Sequence, residues 1–176
     1  MRRYVAMLLL VSVLTGCGGD PPPAAPPAPA SPTSTTPTPV AAPTMPEEAT
    51  KNTRAGAVAF VKYYVQLINH AQATGDTHGV ELVSADACRS CRAFIKNVHA
   101  LYRDGGTIRG GAWLIRDSAV THIGARDWQV TVACAFSPQT IQYGDGHSRR
   151  APAGKGVLFF ALHHDSTWAV ATWSRS

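Results

Sequence analysis

The sequence predicts an α+β fold in which N-terminal helices pack on one face of a curved antiparallel sheet. Two segments in the first half of the folded region repeat apolar residues at steps of three and four, which is typical of amphipathic helices. The second half alternates apolar and polar residues, as antiparallel strands with one buried face do. The helical patterns precede the strand patterns, and this order favours an α+β fold.

The chain opens with a predicted export signal, residues 1–16. Two arginines precede an apolar run that is shorter than the roughly 20 residues of a membrane span, and such a run is typical of a cleaved signal peptide. The run closes on Leu-Thr-Gly-Cys, which resembles the lipobox of bacterial lipoproteins. The resemblance implies that Cys17 becomes the first mature residue and carries palmitate-type acyl chains. The alternative is an ordinary secretory signal with an incidental cysteine.

Residues 17–46 are predicted to form a disordered tether behind the lipidated cysteine. Of the 13 prolines in the chain, 11 lie between Pro21 and Pro46, with alanine, threonine and serine between them. Such a composition buries too little apolar surface to offset the entropy of ordering. Extended proline-rich chain reaches about 3.1 Å per residue, so the tether could hold the domain up to roughly 80 Å from the membrane. We therefore expect the protein at the extracytoplasmic face of the bacterial cell membrane, with its folded domain at residues 47–176.

The net charge is too small to indicate a nucleic-acid partner. The chain has 16 Lys+Arg and 11 Asp+Glu, a formal charge of +5, and loss of the two leader arginines lowers it to +3. Arg149, Arg150 and Lys155 form the densest basic group, inside a segment, residues 148–156, that we interpret as a long exposed loop. A contact of this group with anionic wall polymers or lipid headgroups is a hypothesis, and a solvated loop is the alternative.

Two helices are predicted, at residues 53–73 and 87–103. The first stops where Gly75 can adopt the left-handed conformation that ends helices. The second is predicted to begin at Asp86 as its N-cap and to close at Gly105-Gly106.

Four strands follow, near residues 108–122, 127–137, 156–164 and 167–174, with a shorter one near 139–143. Trp128, Val130 and Val132 alternate with polar or small residues, which places one face of that strand on the core.

This layout resembles the NTF2-like cone fold. The likeness lies in the opening helix around residues 57–64 and the closing strand at 168–173. The proline-rich stalk, Asn69, residues 74–76 and the Cys88-Arg-Ser-Cys91 segment also resemble a family of actinobacterial lipoproteins of unknown function. The resemblance implies architecture and location, because cone folds host enzymes and domains without chemistry alike.

Cys88 and Cys91 are predicted to form a local disulfide at the start of the second helix. A redox site at a helix N-terminus and a metal site are alternatives, but no preceding strand or second ligand pair supports them. Cys134 is left over. We interpret it as a buried thiol, with a bridge to Cys88 or Cys91 as the competing possibility.

The sequence contains no catalytic, cofactor-binding or metal-binding motif that we recognise. If the cone holds a pocket, Tyr64, Trp113, Trp128 and His163 are the candidates to line it. The leading hypothesis is a binding module of the cell envelope for a small apolar ligand or another envelope protein. The alternative is an enzyme that uses the cone pocket for isomerase-like or dehydratase-like acid/base chemistry. An enclosed cavity with a buried carboxylate or histidine would favour the enzyme, and a shallow cone filled by its own tryptophans would favour an interaction or accessory role.

Overall fold

The computed structural model describes residues 40–176. A 3-10 helix spans Glu47–Thr50 and three α-helices follow: α1 Arg54–Thr74, α2 His78–Leu82 and α3 Arg89–Arg103. The strands are β1 Thr107–Gly110, β2 Trp113–His122, β3 Asp127–Phe136, β4 Gln139–Gln142, β5 Ser148–Ala151, β6 Gly154–His164 and β7 Trp168–Arg175. All strand pairs are antiparallel, in a four-stranded sheet of order β2-β3-β6-β7 and a three-stranded sheet of order β1-β4-β5. The predicted α+β architecture, with N-terminal helices on an antiparallel sheet, is confirmed.

The first predicted strand is in fact two strands. Gly110 and Gly111 both have positive φ values, 69° and 75°, and such a pair turns the chain where residues with a Cβ would be strained. The chain therefore leaves β1, which pairs with β4, and enters β2, which pairs with β3.

The predicted loop at residues 148–156 is also corrected. Residues 148–151 form β5 on the edge of the small sheet, and β6 begins at Gly154. All four residues of β5 are exposed, so no alternation of apolar and polar residues marks this strand in the sequence.

Helix α1 is the centre of the core. Thr53 caps its first turn by accepting a hydrogen bond from the Gly56 backbone N–H at 3.0 Å, and Gly75 ends it with a φ of 82°, the conformation that the sequence predicts there. One face of α1 is apolar, and Phe60, Tyr64 and Ile68 on that face are fully buried. They pack on the inward face of the four-stranded sheet, where Tyr64 makes an edge-to-face contact with Phe160.

Two amide side chains of α1 satisfy the backbone where the chain passes from one sheet to the other. The Asn69 side chain donates to the Trp113 carbonyl at 3.0 Å and accepts from the Trp113 N–H at 2.8 Å. The Gln72 amide donates to the Gly111 carbonyl at 3.4 Å and accepts from the Gln139 amide at 2.8 Å. Helix α1 thus fixes the position at which the two sheets diverge.

Replacement of Asn69 by alanine tests the contribution of its two hydrogen bonds to Trp113. We expect Asn69→Ala to lower the free energy of unfolding by about 2 to 4 kcal/mol, because two partly buried backbone groups of Trp113 lose their partners at about 1–2 kcal/mol each. Urea unfolding measures the change. Gln66→Ala, at an exposed position of the same helix, is the matched control and should stay within about 0.5 kcal/mol of the parent. Equal effects of the two substitutions would contradict the assignment.

Candidate functional site

The four residues predicted to line a common pocket are separated in the structure. Tyr64 is fully buried, and its hydroxyl lies 3.1 Å from Ser84 Oγ and 3.2 Å from Cys91 Sγ. Trp128 is buried at the start of β3, where its Nε1 donates to the Asn52 side chain at 2.9 Å.

Trp113 and His163 lie apart from Tyr64 and Trp128, and apart from each other. Trp113 is half-buried and packs edge-to-face against Trp173 and Phe136, beside a small cavity of about 120 Å³. His163 is on the outward face of β6, with its Nδ1 2.8 Å from Asp127 Oδ1. Because neighbouring residues of a strand point to opposite faces, it is His164 that turns inward, against Trp168 and within 3.2 Å of the Thr50 carbonyl.

The space between α1 and the four-stranded sheet is filled by the protein's own side chains. Phe60 stacks on Trp168 with ring centroids 5.9 Å apart, and Trp168 meets Trp128 edge-to-face at 6.2 Å. Leu158, Phe160 and other residues of the same layer are fully buried. These contacts fill the space between α1 and the four-stranded sheet, so it does not offer room for a ligand.

A groove of about 500 Å³ lies at the end of the cone, between α3 and the three-stranded sheet. We call it the end groove. Its apolar wall comes from α3 and from the small sheet: Phe94, Val98, Leu101, Ile108 and Ile141. Ile108 and Ile141 are direct partners across β1 and β4, and Arg149 of β5 continues the same row. Sequence reasoning missed this site because the pairing of β1, β4 and β5 creates it.

Local contacts explain why α3 stands beside the small sheet. The Tyr102 hydroxyl donates to the Gln72 carbonyl at 2.6 Å and accepts from the Ile108 N–H at 3.3 Å, so one side chain ties α3 to both α1 and β1. At the turn after α3, a Cβ on Gly106 would lie 2.5 Å from Leu101 Cδ1 of α3 and 2.6 Å from the Gln142 carbonyl oxygen of β4. The absence of a side chain there lets the chain pass between the end of the helix and β4.

The polar groups of the end groove are few and distinct. Gln72 is only 6% exposed and places its amide at the groove, held by Gln139. Asp104 at the rim is exposed and paired with the neighbouring Arg103 at 3.1 Å. Arg149 has no carboxylate within ion-pair distance among residues 40–176. An apolar wall with a buried amide and one unpaired cation suits a small ligand that has an apolar body and a polar end.

Cys88 and Cys91 form the predicted disulfide, and Cys134 is a free buried thiol. Both bridge residues are fully buried. The N-cap of α3 is Cys88, whose sulfur accepts from the Cys91 N–H at 3.2 Å, and not Asp86 as the sequence predicts. Because both bridged cysteines are buried and Cys88 caps the helix, the bridge anchors the start of α3 inside the core.

Burial raises the pKa of the Cys134 thiol, and the nearby Arg175 offsets part of this rise.

Within the described region, 40–176, no three His, Cys, Asp or Glu side chains come together as a metal site requires. In the same region no helix has the length and apolar character needed to cross a membrane. The predicted lipidation site, Cys17, lies outside the described residues.

The helices on a curved antiparallel sheet define a cone-type α+β protein. The chain belongs to a family of unknown function, DUF6318, whose model matches residues 28–173. The comparison with curated proteins finds no match.

Solved structures resemble the fold at low identity. The intermembrane-space region of the chloroplast protein ARC6 superposes with a TM-score of 0.50 at 10% identity, covering 71% of this chain and 97% of that one. An NTF2-like protein of unknown function in nutrient uptake from Rhodospirillum rubrum has a TM-score of 0.47 at 16% identity, covering 66% and 96%. An uncharacterised protein with a cystatin-like fold from Caulobacter vibrioides has a TM-score of 0.45 at 11% identity, covering 66% and 85%. At these identities the likeness concerns the fold alone.

The buried Tyr64 hydroxyl makes stability depend on pH in the alkaline range. Burial raises the pKa of Tyr64 to about 12, and the Ser84 hydrogen bond offsets part of that rise. Between about pH 10 and pH 12 the unfolded chain has lost this proton and the folded chain keeps it, so stability falls as pH rises, by at most about 1.4 kcal/mol per unit from this group. We expect Tyr64→Phe to lose less stability than the parent between pH 8.5 and pH 11, measured by urea unfolding.

Tyr143→Phe is the control for this measurement, since Tyr143 lies at the more exposed end groove. It should keep the parent's pH dependence. Parallel pH profiles for the parent and Tyr64→Phe would show that the Tyr64 hydroxyl does not carry the effect.

Proposed function

We propose that this chain is a lipid-anchored lipoprotein at the extracytoplasmic face of a bacterial cell membrane. Its folded domain would bind a small, mostly apolar ligand in the end groove. The observation that carries the binding role is the groove itself, about 500 Å³ of space beside a core that is otherwise filled. Small-molecule sites in proteins have about this volume, an apolar lining and a few polar groups that orient the ligand.

The lining supports a ligand with an apolar body and a polar end. Phe94, Leu101 and Ile141 provide the apolar contacts. The Gln72 amide already accepts one hydrogen bond from Gln139 and stays next to the groove, and Arg149 offers an unpaired positive charge. A carboxylate or sulfonate on the ligand would satisfy Arg149 without displacing an existing ion pair.

The acid/base enzyme alternative receives less support from the same geometry. General acid/base catalysis uses a carboxylate or histidine whose proton affinity is tuned by burial among apolar groups. Asp104 is the carboxylate that lines the groove, and it is exposed and paired with Arg103. The inward-facing His164 packs at the opposite end of the strands, against Trp168. Binding is therefore the function that the groove supports best.

A fluorescent probe tests the groove. Anilinonaphthalene sulfonate has an apolar body and one anionic group, and we expect it to bind the protein with one saturable site. Ile141→Glu should weaken this binding at least tenfold, which is about 1.4 kcal/mol, because the new carboxylate would be desolvated by the probe. Ile123→Glu introduces the same group at a position that is 62% exposed and outside the groove, and it should bind like the parent.

Near-UV circular dichroism of both variants separates loss of the site from loss of the fold. Equal affinities of Ile141→Glu and Ile123→Glu, with both folded, would contradict a ligand site in the end groove.

The lipid anchor has its own test. In a bacterial host fed an alkyne-tagged fatty acid, the parent chain should take up the tag and sediment with membranes, because Cys17 supplies the thiol for acylation. Cys17→Ser should lose the tag, whereas Cys134→Ser, which removes the buried free thiol, should keep it. Tagging of Cys17→Ser at the parent level would refute lipidation at this residue.

A further inference from the structure

The outward face of the four-stranded sheet carries a shallow trough with basic walls. Its floor includes Ala133 and Ala135 of β3 together with Gly156 and Val157 of β6. The register places Leu114, Ala135 and Lys155 in one row across β2, β3 and β6. Two adjoining hollows, of about 650 Å³ and 440 Å³, share Ala135 and both basic walls, Arg116 and Lys155. We call this surface the basic trough.

The basic trough brings together two cations that the sequence keeps apart. Arg116 is the extra residue of a bulge in β2, between the pairs made by Ile115 and Asp117. Lys155 lies on β6, whereas Arg149, its companion in the sequence, lines the end groove. Neither Arg116 nor Lys155 has an ion-pair partner among residues 40–176. The neighbouring Asp117 carboxylate accepts a hydrogen bond from the Ser118 N–H instead.

Charge decides which occupant fits the trough. A second copy packed on the same face would bring two arginines and two lysines together against two Asp117 carboxylates, which leaves uncompensated positive charge. Residues 1–39 of the same chain contain one acidic residue, Asp20, so they are a poor complement as well. The charge of the basic trough therefore favours an anionic partner that is not part of this chain.

The apolar part of the surface favours a lipid headgroup layer over an acidic peptide. Leu114, 44% exposed, stands in the same row as Lys155, and an exposed apolar side chain among cations is typical of surfaces that bind the membrane interface. Peptides that dock on sheets commonly pair with a free strand edge. The floor strands, β3 and β6, are paired on both sides, so they offer no such edge.

We propose that the basic trough docks on anionic lipid headgroups of the membrane that carries the anchor. The anchor is part of the proposed function, and this inference uses it only for proximity. Asn52, six residues after the predicted tether ends, accepts a hydrogen bond from Trp128, at the other end of β3 from Ala135. These positions are about 24 Å apart along the strand, well within the roughly 80 Å that the predicted tether can span. The trough can therefore reach the membrane.

Vesicle binding tests the inference without acylation. The probe is the full chain with Cys17→Ser, mixed with vesicles of phosphatidylglycerol and phosphatidylcholine or of phosphatidylcholine alone, at low salt. We expect co-sedimentation with the anionic vesicles and release as salt rises, since exposed charges are screened over about 10 Å at 0.1 M. Arg116→Gln with Lys155→Gln should weaken binding roughly 30-fold, from the contribution of two basic residues at an anionic surface.

Matched variants control for net charge and for apolar exposure. Lys62→Gln with Lys96→Gln makes the same charge change on the exposed helical surface, and it should bind vesicles like the parent. Leu114→Ser should weaken binding, whereas Leu82→Ser, at a position that is 71% exposed on α2, should not. The apolar leader is common to all these chains, so it does not contribute to the differences between them.

Three results would overturn the inference. The first is equal vesicle binding by the two double variants. The second is binding to soluble poly-glutamate but not to anionic vesicles, which would assign the trough to an acidic protein. The third is a stable dimer in sedimentation velocity that the trough substitutions dissociate. Because the end groove is elsewhere on the domain, failure here leaves the probe-binding test of that groove unaffected.

Discussion

The arrangement of the domain depends on how α1 meets the chain at the junction of the two sheets. An isolated bend in a sheet leaves backbone groups without ladder partners, and burial of such groups is costly. Asn69 and Gln72 supply those partners for Trp113 and Gly111 from within a helix that is otherwise apolar on this side. The bend is thereby compatible with burial, and the small sheet can diverge from the large one.

Because the two sheets diverge, the filled core and the end groove lie in different parts of the domain. Along the large sheet, α1 fills the interior with aromatic and aliphatic side chains, which gives stability and leaves little space. Beyond the bend, side chains of the small sheet and of α3 line the end groove and leave about 500 Å³ between them unfilled. A domain of this size can therefore keep a filled core and a ligand-sized space, because they occupy different ends of the cone.

The sequence predicts those parts of the fold that one segment encodes by itself. The helix predicted at residues 53–73 is α1 to within one residue at each end, since its apolar period and Gly75 are both local signals. The long strands β3 and β6 show alternation that is visible along one stretch of chain. The disulfide follows in the same way from the short spacing of Cys88 and Cys91 in the chain.

What the sequence does not predict comes from pairing between distant segments. Strand β5 is exposed at every position and has no alternating pattern, and although a short strand is predicted where β4 lies, its pairing with β1 and β5 is not predicted. The end groove depends on both, which is why the predicted pocket residues fall elsewhere. The position of Lys155 beside Arg116 likewise needs the register of three strands, since 38 residues, which include β3, β4 and β5, separate them in the chain.

The burial of all three cysteine side chains in residues 40–176 has a practical consequence. Cys88 and Cys91 are joined and fully enclosed, and Cys134 lies beneath the sheet surface with almost no access to solvent. Residues 40–176 therefore present no reactive thiol to a maleimide reagent while the domain is folded. A cysteine introduced at any exposed position would be the one site in this region to accept a dye or spin label, so distances on the native domain become measurable without removing a natural cysteine from its core.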